Sequence, residues 1–305
     1  MKTRALLAWS AGIATASALL RSGINYRVWK IEQVERLRTE SQQLETPHGP
    51  IEYQMQGEGP VVMIIHGSPG GYDQGIALAN LIGLDGYTTL AVSRPGYRRT
   101  PLSSGETPEA QADLFADCLN LLNVPQAIVI ALSGGGPSAL LFALRHPEHC
   151  QALIMLSALC QNYTEEGAYR ALPLGQRQIK KAFDRLIVYD PFLYLMDGLT
   201  RRLPEGAKAS AFIHSLVMND PQTIGYQNDM QQFADLPRYP IQDITTPTLV
   251  VHGTNDLDLP FHQAQQLAQK IPHARLVAVE GANHFSTVGS EMAASEIHAF
   301  LQKVI

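Results

Sequence analysis

The feature that most constrains this chain is an apolar run that stops at a serine surrounded by very small residues. Residues 127–137 read AIVIALSGGGP, so a β-branched segment ends at Ser133 and three glycines and a proline follow it. Such a run predicts a buried strand, and Leu140, Leu141 and Leu144 share one face of the helix expected next. A chain that passes from strand to helix this quickly must turn sharply at Ser133, which predicts a strained backbone at that residue.

The small residues around Ser133 fit two kinds of site. Ala131 and Gly135, two positions before and after the serine, leave room for the tight turn of a nucleophile elbow, although glycine is more usual at the first position. A glycine-rich turn can also hold a phosphate at a helix N-terminus. No lysine follows as in a P-loop and no G-x-G-x-x-G pattern is completed here, so the sequence favours the elbow.

Three further segments each read as a buried strand that ends in a polar loop: residues 61–65, 248–251 and 274–279. The first loop carries Ser68 after a His-Gly pair, the second carries Asp256 and the third carries His284. The order Ser133, Asp256, His284 is the nucleophile, acid, histidine order of the α/β-hydrolase arrangement. From about residue 49 to its C-terminus, the chain therefore resembles the α/β-hydrolase superfamily.

The resemblance implies a domain over residues 49–305 with the α/β-hydrolase fold, a mostly parallel central sheet flanked by helices. Apolar runs without alternation agree with strands covered on both faces. Between about residues 158 and 238 the strand signal gives way to helical spacing, and here the family inserts a helical cap. The aromatic and methionine side chains of this cap fit either an apolar pocket or the cap's own core. Four cations of the cap are expected on solvated helix faces: Lys180, Lys181, Arg201 and Arg202.

The chemistry of a serine nucleophile assigns a role to each candidate. Ser133 needs a base to take its proton, and His284 is that base. The carboxylate of Asp256 would fix the histidine tautomer and stabilise the imidazolium. The backbone N–H groups of Ser68 and Gly134 are the expected donors of an oxyanion hole.

Each of these assignments has a competitor. A serine in a glycine-rich loop is often structural, but its three matching partners favour catalysis by Ser133. Asp258 is the alternative acid, although Asp256 stands where the family places it. His66 and His252 precede the oxyanion and acid loops, and we expect them to brace these loops rather than transfer protons.

The nucleophile narrows the reaction class. Relatives that open epoxides or remove halides use an aspartate here, so those activities are disfavoured. What remains is the serine branch with a cap, which includes esterases, haloperoxidase-like perhydrolases and relatives similar to proline iminopeptidases. The last group usually carries a tryptophan where this chain has Gly134, which argues against a peptidase. We expect a carboxylic ester hydrolase that acts through an acyl-enzyme on a small or medium apolar substrate.

Other functions stay open on the same residues: carbon-carbon bond hydrolysis, perhydrolysis, aminopeptidase activity, or a ligand receptor without turnover. Discrimination among them depends on pocket shape rather than on the shared catalytic residues. A net charge of -5 and a pI near 6.0 argue against nucleic-acid binding. The three cysteines, Cys118, Cys150 and Cys160, fit neither a disulfide framework nor a metal spacing, and their redox state is left open. We expect no cofactor and no metal ion.

The N-terminus predicts a separate function. Lys2 and Arg4 precede an uncharged apolar run at residues 5–20 with small residues that resemble a cleavage site. Residues 1–24 therefore predict a signal peptide or a membrane anchor, with a cytoplasmic protein as the alternative. Residues 25–48 predict an amphipathic helix and linker whose apolar face holds Val28, Ile31, Val34 and Leu37.

Overall fold

The computed structural model describes residues 22–202, 206–216 and 223–305. These residues form an eight-stranded sheet with the spatial order β1-β2-β4-β3-β5-β6-β7-β8. The strands are β1 (Gln42–Thr46), β2 (Gly49–Gln56), β3 (Val61–Ile65), β4 (Thr88–Val92), β5 (Ala127–Leu132), β6 (Cys150–Leu156), β7 (Thr248–Gly253) and β8 (Arg275–Val279). β1 is antiparallel to β2 and β2 to β4, whereas β3 to β8 are mutually parallel, so the predicted mostly parallel sheet is confirmed.

Helices cover both faces of this sheet. They are α1 (residues 22–39), α2 (Tyr72–Ile82), α3 (Pro108–Leu121), α4 (Gly136–Arg145), α5 (Glu165–Arg170), α6 (Leu174–Leu186), α7 (Asp190–Thr200), α8 (Gly206–Ser215), α9 (Ile224–Ala234), α10 (Phe261–Lys270), α11 (His284–Val288) and α12 (Glu291–Val304). On one face Phe115 of α3 and Phe142 of α4 enclose the core, and on the other Leu78 of α2 and Ile297 of α12 do so. All six residues of β5 are buried as a result, which is why that strand is uniformly apolar.

The segment between β6 and β7 is helical, as its spacing predicts, and consists of α5 to α9 among the described residues. Its apolar side chains do not all face the same surroundings, and Leu193 is buried against α1. Ile187, Phe212 and Leu216 line a cavity, whereas Phe183, Leu186, Leu195 and Leu199 are exposed. Val217 lies outside the described residues. The limits of a cap at residues 158 and 238 stay a prediction.

The start of the sheet differs from the prediction. β1 lies inside residues 25–48, where the sequence predicts a helix and linker, and it pairs with β2. This strand was missed because it is a short polar edge strand, in which Leu44 alone packs against the core.

α1 confirms only part of the predicted apolar face, since Leu37 is buried and Val34 half-buried but the other two residues are exposed. The buried residues are Trp29, Gln33 and Leu37, whereas Val28 and Ile31 are 48% and 67% exposed. Trp29 packs against Leu193 of α7 and its indole N–H donates to Asp197 at 3.0 Å. The hydrogen bond to Asp197 and the contact with Leu193 orient Trp29 toward the protein. The spacing of hydrophobic residues does not predict either partner.

The predicted signal peptide or anchor at residues 1–24 lies outside the described residues up to residue 21. In the part of the chain that the structure does describe, no helix combines the length and apolarity needed to cross a membrane.

Candidate active site

Ser133 occupies the sharp turn between β5 and α4. Its φ of 47° lies in the left-handed region, a strained conformation for a residue with a side chain, as the sequence predicts. Glycine at position 135 makes room for the end of a neighbouring strand as well as for the turn. A methyl group on Gly135 would lie 2.6 Å from the Ile65 carbonyl oxygen and 2.8 Å from that of His66, so the close neighbour is β3 rather than Ala131.

The loops after β7 and β8 bring an acid and a histidine to this serine. Gly253 ends β7 so close to the second loop that a methyl group there would lie 2.3 Å from the Ala282 carbonyl oxygen. The Asn255 N–H donates to that same oxygen at 2.9 Å. Asn283 then caps α11 through its side chain, which makes His284 the first residue of the helix.

Ser133, Asp256 and His284 form one connected chain of hydrogen bonds. The His284 Nδ1 atom lies 2.7 Å from Asp256 Oδ2, and Nε2 lies 3.0 Å from Ser133 Oγ. With an ionised Asp256, Nδ1–H donates to the carboxylate and Nε2 is free to accept the serine proton. Asp256 and His284 are buried and Ser133 is half-buried at the cavity wall.

Burial and hydrogen bonding act against each other on this pair. Burial would raise the pKa of Asp256, but hydrogen bonds from His252 and His284 outweigh it and hold that pKa well below its ordinary range. Burial would likewise lower the pKa of His284, but the hydrogen bond and charge of Asp256 raise it above its ordinary value of 6.5. His252 Nε2–H donates to the Leu259 carbonyl oxygen at 2.8 Å and also lies 3.3 Å from Asp256 Oδ2.

The alternative acid, Asp258, points elsewhere. Its carboxylate forms an ion pair with Lys180 of α6, while its backbone N–H donates to Asp256 at 2.9 Å. Lys180 was expected on a solvated helix face, and that expectation is wrong, because the side chain is 9% exposed and also binds Asp184. One partner, Asp184, belongs to α6, and the other, Asp258, lies in the loop after β7. The charge pattern of the helix does not predict the contact with Asp258.

The predicted oxyanion loop faces the elbow. A methyl group on Gly67 would lie 3.1 Å from Ser133 Cβ, and one on Gly134 would lie 2.1 Å from Ser68 Oγ. The two residues expected to donate their N–H groups, Ser68 and Gly134, are therefore in direct contact beside Ser133. His66 is fully buried, which keeps its pKa well below 6.5, and its Nε2 accepts from the Arg94 N–H at 2.9 Å.

A buried polar cluster behind this loop was missed from the sequence. Arg94, which follows β4, forms a two-point ion pair with Asp229 of α9, and Tyr97 donates its hydroxyl to the same carboxylate at 2.6 Å. The Arg-Pro-Gly-Tyr turn signals a tight loop at residues 94–97, but nothing in the sequence indicates a partner that is 135 residues away.

A cavity of about 470 Å³ opens in front of Ser133. The buried apolar side chains of its lining are Leu132, Leu159, Phe233, Leu259 and Val288, and they lie beside the buried polar side chains of Gln74 and His284. Its exposed lining carries charge, at Glu165 and Arg185. The size is within the range of small-molecule sites, and the division between apolar depth and charged rim suits an amphiphilic ligand.

One group of metal-ligand type occurs among the described residues. Side-chain atoms of Asp256, Asp258 and His284 lie within 4.8 Å of one another. All three groups are already engaged, since Asp256 and His284 bind each other and Asp258 binds Lys180.

Comparison with known proteins gives a consistent family. The family model described as alpha/beta hydrolase fold matches residues 60–288. The hydrolase YcgS of Bacillus subtilis (strain 168) is 27% identical over 264 residues, which cover 80% of this chain and 92% of YcgS. The 2-hydroxymuconate semialdehyde hydrolase of Pseudomonas putida is 25% identical and covers 76% of this chain and 83% of its own length.

A solved structure agrees with this assignment. The alpha/beta hydrolase fold protein from Nakamurella multipartita superimposes with a TM-score of 0.66 at 29% identity, over 86% of this chain and 98% of that protein. The predicted α/β-hydrolase fold is thereby confirmed.

Proposed function

The chain belongs to the alpha/beta hydrolase fold family, and we propose that it hydrolyses carboxylic esters through an acyl-enzyme on Ser133. The observation that carries this proposal is the connected chain of hydrogen bonds from Asp256 through His284 to Ser133 at the wall of a cavity. Its two distances are 2.7 and 3.0 Å. Ligand binding alone does not require such a chain of hydrogen bonds at a strained serine.

The proposed reaction has two halves. In the first, Ser133 Oγ attacks the ester carbonyl carbon as His284 Nε2 takes its proton, and the N–H groups of Ser68 and Gly134 hold the oxyanion. The imidazolium then protonates the alcohol oxygen and the C–O bond breaks, which leaves an acyl ester on Ser133. In the second half His284 activates a water that attacks this ester, and the acid is released.

The cavity suggests the shape of the substrate. An apolar acyl group would fill the part lined by Leu159, Phe233 and Leu259, since burial of such surface contributes about 25 cal/mol per Å². A polar or charged alcohol would face the rim at Glu165 and Arg185. We therefore propose an ester of a medium-length apolar acid as the substrate class.

A panel of p-nitrophenyl esters with increasing acyl length, an anilide and a diketone tests this function. We expect turnover of the esters with a preference for medium chains, little on the anilide, and none by a folded Ser133→Ala protein. Turnover of the diketone alone would favour carbon-carbon bond hydrolysis instead, as the name of the Pseudomonas putida relative suggests. Turnover of esters by Ser133→Ala would contradict the proposed nucleophile.

A further inference from the structure

The cluster of Arg94, Tyr97 and Asp229 joins the helical segment to the parallel sheet. The side chains of Arg94 and Asp229 are 1% and 2% exposed, with Nη1 to Oδ1 at 2.9 Å and Nη2 to Oδ2 at 2.6 Å. Asp229 belongs to α9, and Arg94 to the loop after β4. Removing two charges from water costs free energy. The pair offsets this cost only if its geometry is good and its other donors and acceptors also form hydrogen bonds.

The same guanidinium group of Arg94 also donates to the oxyanion loop, through Nε and through the Nη2 that binds Asp229. Its Nε donates to the His66 carbonyl oxygen at 3.1 Å, and Nη2 donates to the Gly67 carbonyl oxygen at 3.1 Å. Nη2 also donates to Ser68 Oγ at 2.7 Å, and that hydroxyl in turn donates to Asp229 at 2.5 Å. Three successive residues of the loop are therefore fixed by one ion pair.

The same helix reaches the other side of the expected oxyanion hole. Phe233 is four residues after Asp229 and lies on the same face of α9. A methyl group on Gly134 would meet Ser68 Oγ at 2.1 Å and Phe233 Cε2 at 3.2 Å. Gly134 is thus enclosed by the side chain of Ser68, which Asp229 binds, and by the side chain of Phe233.

From these contacts we infer that Asp229 and Arg94 are positioning residues that fix the oxyanion hole and couple it to α9. The ion pair sets the place of the Ser68 N–H through the loop carbonyls and the Ser68 hydroxyl. Together with Phe233 it also holds Ser68 against Gly134, the second donor. Loss of the ion pair should therefore weaken the stabilisation of the tetrahedral intermediate more than it weakens substrate binding. This inference rests on the proposed ester hydrolysis.

The test compares Asp229→Asn and Ser68→Ala with Asp197→Asn. The first weakens the ion pair, and the second removes only the hydroxyl link while the backbone N–H and the ion pair remain. Asp197 is the matched control, because it is a buried carboxylate of α7 that binds Arg201, Ser210 and Trp29 without a contact to the oxyanion loop. For each folded variant, kcat and KM are measured on a p-nitrophenyl ester, with the Ki of an alkyl boronic acid whose adduct on Ser133 places an oxygen in the hole.

For both test variants we expect kcat to fall by about 10- to 100-fold, less than the 10²–10³ of losing an oxyanion donor outright. KM should stay within about twofold, and the boronic acid should lose affinity in parallel with kcat. Asp197→Asn should keep kcat and Ki. Unchanged kcat and Ki in folded Ser68→Ala and Asp229→Asn, or an equal loss in Asp197→Asn, would overturn the inference. If the wild type hydrolyses no ester, the proposed function fails, and the boronic acid Ki still tests the positioning.

Discussion

Among the single residues of the site, the acid is the one with a close competitor. Asp256 and Asp258 are two positions apart, yet only Asp256 has an oxygen 2.7 Å from His284 Nδ1. Its other oxygen accepts the backbone N–H groups of Asp258 and Leu259, both at 2.9 Å, so the loop holds the carboxylate in place. The carboxylate of Asp258 forms an ion pair with Lys180 instead.

Exchange of each carboxylate for an amide separates the two. Asp256→Asn should lower kcat by about 10⁴, the loss recorded for the corresponding change in a serine protease triad, because the amide favours the wrong histidine tautomer. Asp258→Asn should change kcat little, since Lys180 keeps Asp184 as a partner. Steady-state kinetics on a p-nitrophenyl ester would show it, and the reverse ranking would transfer the acid role to Asp258.

The pH dependence of activity follows from His284. Its pKa in the folded protein is raised above 6.5, and only the neutral imidazole can accept the serine proton. The value of kcat/KM should therefore fall as the pH drops through a midpoint above 6.5 and reach a plateau at higher pH. The charge of Asp258 contributes to raising this pKa, so Asp258→Asn should move the midpoint to lower pH. A flat profile from pH 5 to 8 would contradict a rate-limiting step that uses His284.

Residues that follow strands in a known order could be predicted from the sequence. Ser133 directly follows a strongly apolar run, Asp256 and His284 lie in the loops after two others, and parallel strands bring such ends to one edge of the sheet. Lys180, Arg94 and Asp229 could not, because their roles depend on partners in other elements: 78 residues away for Lys180 and 135 for the ion pair. Whether a charged side chain is buried depends on partners that are distant in the sequence. The local sequence pattern of a helix or a turn therefore does not predict it.

Among the elements, the elbow has the least freedom. The close approach of β5 and β3 leaves no space for a side chain at position 135, since two backbone carbonyl oxygens lie within 2.8 Å of a methyl group there. Backbone atoms of a central sheet cannot yield as a flexible side chain can, so strain must be taken up by the turn that carries Ser133.

Gly135→Ala should therefore destabilise the fold by about 1–3 kcal/mol and reduce activity through displacement of Ser133. Gly198→Ala is the matched control, because Gly198 is exposed in α7 and a methyl group there meets nothing within 4 Å. That change should stabilise by about 0.5–1 kcal/mol, from the lower backbone entropy of the unfolded chain. Urea unfolding of the three proteins gives the comparison, and equal stability of Gly135→Ala and wild type would refute the contact.

Elements were predictable where the pattern is unambiguous. The interior strands are nearly continuous apolar runs, and Thr107 caps α3 as its position before Pro108 suggests. β1 and the buried position of Trp29 in α1 were not predictable, because a polar edge strand carries no alternation and Trp29 is placed by Asp197. In α6 the charged residue Lys180 faces inward and Phe183 outward, which inverts the usual relation between polarity and burial.

At the scale of the whole molecule, we propose that residues 1–21 direct the chain to a membrane or to export and contribute nothing to the site. A chain that begins at Ser22 keeps α1 and should be soluble and fully active, whereas full-length protein should sediment with membranes or lose its N-terminus during export. Cytosolic full-length protein with an intact N-terminus would contradict this.

A chain that begins at Ser41 extends the test to α1. It lacks Trp29, Gln33 and Leu37, which are buried against the rest of the protein. Loss of one large buried aromatic side chain alone costs about 3–5 kcal/mol, so this shorter chain should melt at a lower temperature than the one that begins at Ser22. Differential scanning calorimetry of the two proteins decides it, and equal melting temperatures would show that α1 adds no stability.

Covalent labelling followed by peptide mapping tests the proposed nucleophile most directly. A fluorophosphonate should form one adduct, on the peptide that contains Ser133, and the reaction should be lost in Ser133→Ala and greatly slowed in His284→Ala. Circular dichroism of each variant establishes that it is folded. Labelling of a different residue, or undiminished labelling of folded Ser133→Ala, would contradict catalysis by Ser133.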